Sequence, residues 1–119
     1  MHTVRLLLTA SLLCGFATSA LAQGGCATGS NGKTLCGPPD SHCIVERTGR
    51  VVCSPTGGGI AQDRYGEAVC GPGACAKDLR GDFFCSNAPK GAAQPDMHGN
   101  VACSGSCVAA RADACVRPD

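Results

Sequence analysis

The stretch that decides the fold is Cys75-Ala76-Lys77-Asp78-Leu79-Arg80-Gly81-Asp82-Phe83-Phe84-Cys85. Asp78 stands seven residues before Cys85, and Gly81 stands four before it. An aspartate that opens a turn accepts hydrogen bonds from backbone N–H groups two residues on, which favours a type I turn. Glycine at the fourth position supplies the left-handed conformation of a G1 bulge and completes a three-residue hairpin loop. Counting outward, Asp78 pairs with Asp82, Lys77 with Phe83, Ala76 with Phe84 and Cys75 with Cys85. Alternation from the turn puts the two cysteines at a non-hydrogen-bonded pair, where Cα atoms approach to about 4.5 Å. That separation is at the short end of what a disulfide spans. The expected unit is a β-hairpin stapled at its open end.

The unit recurs along the chain. Glu46 and Gly49 precede Cys53, Asp63 and Gly66 precede Cys70, and Asp96 and Gly99 precede Cys103 at the same offsets. Gly29 and Gly32 before Cys36 form a looser copy, and the pattern before Cys115 is degenerate and two residues shorter. The same count predicts the bridges Cys26–Cys36 and Cys43–Cys53. In two hairpins the partner position is not a cysteine: Ile60 faces Cys70 and Ala93 faces Cys103. These two cysteines occupy equivalent positions and are expected to pair with each other, leaving Cys107 and Cys115 to close a shortened final hairpin.

On a longer scale, the segments that begin at Gly24, Gly58 and Gly91 resemble one another, and Cys36, Cys70 and Cys103 lie 34 and 33 residues apart. This reads as three repeats, about 24–57, 58–90 and 91–119, of two hairpins each. The expected fold class is small, disulfide-rich and all-β, a tandem series of short hairpins with little helix. Gly-Pro links such as Gly37-Pro38 and Gly71-Pro72 allow either a stack of hairpins or loosely jointed beads. The sequence does not decide between them.

Residues 1–22 read as a signal peptide: Arg5 precedes an apolar run from Leu6 to about Ala17, and Ala20-Leu21-Ala22 offers small residues to a signal peptidase. The apolar run is too short to span a bilayer. Leu13-Cys14 departs from a lipoprotein box, where a small residue normally precedes the cysteine, so Cys14 reads as part of the apolar run. The Ala-Leu-Ala-Gln junction resembles those of Gram-negative bacteria, which implies secretion or a periplasmic location after cleavage near Ala22.

The remaining region, 23–119, holds ten of the 11 cysteines, an even number that implies up to five bridges in an oxidising compartment. It contains one Tyr, two Phe and no Trp, against 16 Gly and seven Pro. So little apolar surface cannot offset a backbone ordering cost of roughly 1–2 kcal/mol per residue. Each bridge closing a ten-residue loop contributes on the order of 2–3 kcal/mol.

Nine basic residues then face nine acidic ones, with alternating signs and no basic run. That balance gives no pull on nucleic acid or anionic lipid. Cys36-Gly37-Pro38 and Cys70-Gly71-Pro72 resemble a redox motif, but the next cysteines follow after six and four residues rather than two. The cysteine gaps are not those of zinc knuckles, and His42 and His98 have no partner at ligand spacing. The Asp-x-x-Gly turns lack the alternating oxygen donors of a calcium loop. No nucleophile elbow or Ser/His/Asp arrangement is present. No catalytic residue, metal or cofactor is therefore expected, and an enzyme is not.

The remaining signals are hairpin tips. Arg80-Gly81-Asp82 matches a cell-adhesive tripeptide presented by a stapled loop, although Gly81 is also what the turn requires. Arg47, Arg64 and Arg80 at stapled tips resemble the basic loops that protease inhibitors offer to trypsin-like enzymes, and Tyr65 shares the Arg64 tip. The expected role is a non-catalytic scaffold that displays these tips to a protein or surface partner. A protease inhibitor or host-directed effector acting through the same residues is the alternative.

Overall fold

A computed structural model describes residues 24–118. The proposed signal peptide, residues 1–22, lies outside the described residues. Five antiparallel hairpins follow one another: β1–β2 (Cys26–Thr28, Thr34–Cys36), β3–β4 (Cys43–Val45, Val51–Cys53), β5–β6 (Gly59–Gln62, Ala68–Gly71), β7–β8 (Cys75–Lys77, Phe83–Ser86) and β9–β10 (Ala93–Pro95, Val101–Cys103). A last strand, β11 (Cys107–Ala109), and a single 3-10 turn (Ala112–Ala114) complete the chain. Among the described residues no helix is long and apolar enough to cross a membrane.

The register follows the turn chemistry. Cys75 faces Cys85, Ala76 faces Phe84 and Lys77 faces Phe83, while Ile60 faces Cys70 and Ala93 faces Cys103. Asp63, Asp78 and Asp96 each present Oδ1 to the N–H groups two and four residues on, at 2.8–2.9 Å. The five turn glycines, Gly32, Gly49, Gly66, Gly81 and Gly99, have φ between 80° and 89°, where a side chain is disfavoured. Bridges Cys26–Cys36, Cys43–Cys53 and Cys75–Cys85 join facing residues whose Cα atoms are 3.9–4.0 Å apart.

The hairpins stack. At three of the four steps the N–H of the second turn residue donates to the glycine carbonyl of the next turn: Ser30 to Gly49 (2.9 Å), Arg47 to Gly66 (3.0 Å) and Leu79 to Gly99 (2.8 Å). A second ladder runs along the links at the other end, where Gly57 N–H donates to the Asp40 carbonyl (2.9 Å) and Lys90 N–H to the Gly57 carbonyl (2.7 Å). The core is a thin line of small side chains: Val51, Val52, Cys53, Ala68, Cys70 and Cys85, with Ser54 and Ser86. Both serines are satisfied, Ser54 Oγ accepting from His42 N–H (3.0 Å) and Ser86 Oγ donating to the Ser104 carbonyl (2.6 Å). Burial this modest leaves much of the constraint to the bridges.

Two expectations fail at the C-terminal end. Cys70 bonds Cys115 rather than Cys103, and Cys103 bonds Cys107 four residues on. The shortened sixth hairpin does not form. Residues 108–114 contain no glycine, so nothing supplies the left-handed residue that closes the other turns. Instead Gly105 (φ 72°) turns the chain sharply and β11 adds to the free edge of β8, Val108 facing Cys85. The tail then runs back along the array. Arg111 exchanges both backbone hydrogen bonds with Cys70 (2.9 Å each), and Val116 exchanges both with Cys53 (2.8 and 2.7 Å). One segment thus ties together the return strands β8, β6 and β4.

Candidate functional site

Stacking puts the five turns in a row, so the residues singled out at the tips share one edge. Arg47 is exposed, with its backbone bonded to Gly66 and its Cβ packed where a Gly66 side chain would lie. Arg80 and Asp82 both donate their N–H to Asp78 Oδ1 (2.9 Å each), which fixes the backbone of the Arg80-Gly81-Asp82 tip while both side chains stay exposed. Arg64 brings its guanidinium to 3.9 Å from Asp82 Oδ1. With both side chains more than half exposed, this pair contributes little to stability.

The step between the third and fourth turns differs from the others. Among the described residues no backbone bond joins Arg64 to Gly81, and the Arg64 guanidinium lies over Gly81 instead. A groove of about 600 Å³ opens there, lined by Arg64, Tyr65, Val69, Asp82, Phe83 and Phe84 among others. Tyr65, Phe83 and Phe84 are the three aromatic residues that follow position 22, so the groove gathers all of them. Tyr65 is 72% exposed. The structure therefore brings Arg64, Tyr65, Gly81 and Asp82 together, with Arg80 beside them and Arg47 one turn away.

Glu46, which the turn pattern alone marks only as a turn opener, has a further role in the structure. In the aspartate-led turns the carboxylate bonds its own loop, whereas Glu46, one methylene longer, reaches into the next hairpin. Its Oε2 accepts from Ala68 N–H (2.8 Å) and its Oε1 from Arg117 Nη1 (3.0 Å), and the residue is only 7% exposed. Burial pushes this carboxyl up, but the Ala68 N–H and the hydrogen bond and charge of Arg117, with Arg50 nearby, outweigh it and hold the group below its ordinary range. It locks β3–β4, β5–β6 and the tail together.

His42 and His98 do not converge with other donors; among the described residues no group of three or more His, Cys, Asp or Glu side chains is placed to hold a metal. All ten described cysteines are in bridges. No protein-family model matches the chain, and searches of curated proteins and of solved structures returned no match. By its fold the chain is a small, disulfide-rich β protein, and five bridges are compatible with an oxidising extracellular or periplasmic location.

Proposed function

We propose that the protein is an exported, non-catalytic scaffold, secreted or periplasmic after loss of its signal peptide, that presents a row of hairpin tips to a protein or surface partner. On this reading the chain is built from three two-hairpin repeats of about 33 residues, the last one altered to supply the tail. The observation that carries the proposal is the shared edge: turn-to-turn hydrogen bonds at three of the four steps, with the Arg64 side chain over Gly81 at the other, keep the backbones in a row while Arg47, Tyr65, Arg80 and Asp82 stay exposed. Such a frame lowers the ordering cost of binding at the tips. The most favourable contact point is the groove at Arg64, Tyr65 and Asp82, where aromatic surface and both signs of charge meet.

The test is an affinity capture with oxidised protein, with reduced protein and an Arg64→Ala/Tyr65→Ala variant as controls. A partner retained by the oxidised form and lost in both controls supports the proposal. Equal capture by the reduced chain, or substrate turnover by the purified protein, contradicts it.

A further inference from the structure

Among the described residues the turn ladder has two open ends, and they are complementary halves of the contact repeated inside it. Each internal hydrogen-bonded step joins a donor N–H from the second residue of one turn to the glycine carbonyl of the next. The covering residue also fills the space where the glycine would carry a side chain. A Cβ on Gly49 would lie 2.1 Å from Ser30 Oγ, one on Gly66 would lie 2.6 Å from Arg47 Cβ, and one on Gly99 would lie 2.8 Å from Leu79 Cβ. At the first turn the glycine half is vacant: among the described residues nothing beyond its own chain neighbours lies within 4 Å of where a Gly32 Cβ would be, and the Gly32 carbonyl accepts no hydrogen bond. At the fifth turn the donor half is vacant: Met97, the residue equivalent to Ser30, Arg47 and Leu79, is 92% exposed and its N–H has no acceptor among the described residues.

Stacked-repeat folds need polar caps at their ends because an uncovered end repeats the internal interface. The C-terminal segment could have served as a cap, but it runs back along β8, β6 and β4 and leaves the fifth turn bare. We infer that the partner of each open end is a second copy of this chain, with Met97 N–H of one molecule donating to the Gly32 carbonyl of the next. This goes beyond display of the tips. The contact is heterologous, donor face to acceptor face, so it does not close on itself as a two-fold dimer and extends head to tail. In such a row the displayed edge continues from one molecule to the next, and tip residues are presented multivalently.

Two substitutions separate assembly from folding. Gly32→Asn keeps a residue that tolerates positive φ and places its side chain in space that is open in the single molecule but filled in the stack. Met97→Pro suits the second position of a type I turn and deletes the donor N–H. Sedimentation of the oxidised protein over a wide concentration range is expected to show an average mass that rises with concentration. Each variant alone, with all bridges formed and an unchanged circular dichroism spectrum, is expected to remain monomeric. An equimolar mixture is expected to give dimers and nothing larger, because each variant retains the half that the other lacks. A wild-type protein that stays monomeric throughout, either folded variant assembling like wild type, or a mixture that does not dimerise would overturn the inference.

Discussion

Removing the Cys70–Cys115 bridge is expected to destabilise the protein more than removing any other. The bridge closes a loop of 45 residues, for which loop-closure entropy corresponds to about 4 kcal/mol at room temperature. The same relation gives about 2.7 kcal/mol for a hairpin staple of separation 10 and about 1.9 kcal/mol for Cys103–Cys107, of separation 4. Burial adds to the difference, because Cys70 is fully inaccessible while Cys103 and Cys107 are not. Guanidinium unfolding of oxidised Cys70→Ala/Cys115→Ala and Cys103→Ala/Cys107→Ala proteins measures the two costs on one scale. The first variant should also exchange the amide hydrogens of Arg111 and Val116 faster, since these bond back to Cys70 and Cys53 through the tail. An equal or larger loss on removing Cys103–Cys107 would refute the view that the tail holds the array together.

Four further outcomes rest on particular contacts. Glu46→Ala leaves the buried Ala68 N–H without an acceptor and should cost about 1–3 kcal/mol. Because the folded protein holds the Glu46 carboxyl below its ordinary range, its stabilisation is present above that range and lost as pH falls through the folded pKa; the stability difference between wild type and Glu46→Gln, followed by denaturant titration, should shrink in acid. Gly66→Ala should be more costly than Gly81→Ala in thermal melts. Both meet a positive-φ penalty of about 1–2 kcal/mol, but a Gly66 Cβ would also lie 2.6 Å from Arg47 Cβ, against 3.5 Å from the movable Arg64 Nη2 at Gly81. Asp78→Ala removes the acceptor of two backbone N–H bonds at once and should cost about 1–2 kcal/mol by the same measurement.

What was legible in the sequence was local. Asp78, Gly81 and Cys85 set turn, bulge and register within eleven residues, and pairing across so short a loop has few alternatives. The same logic marked Cys70 and Cys103 as cysteines that must find partners outside their own hairpins, which they do. Which partners they take depends on the path of residues 104–116, and that path is governed by the free edge of β8 and by the backbone groups of Cys70 and Cys53, far away in sequence. The expected shortened hairpin of Cys107 and Cys115 fails because residues 108–114 hold no glycine to close its turn, and the degenerate pattern there does not indicate where the strand goes instead. At the site, the tip positions of Arg47, Arg64, Tyr65 and Arg80 could be read from the turn offsets. Their alignment along one edge depends on stacking, which Gly-Pro links permit without specifying. Glu46 was hidden because one extra methylene does not announce that its carboxylate serves a neighbouring hairpin.

The tail crosses back over the array and bonds Cys115 to Cys70, and disulfide mapping tests that path most directly. Trypsin cutting the oxidised protein after Arg64, Lys77, Arg80, Lys90 and Arg111 separates Cys70 with Cys75 (in 65–77), Cys85 (in 81–90), Cys103 with Cys107 (in 91–111) and Cys115 (in 112–119). The structure predicts that 65–77 is released joined both to 112–119, through Cys70–Cys115, and to 81–90, through Cys75–Cys85, and that 91–111 is released on its own with an internal bridge. Recovery of 65–77 joined to 91–111, with 91–111 joined in turn to 112–119, would contradict it.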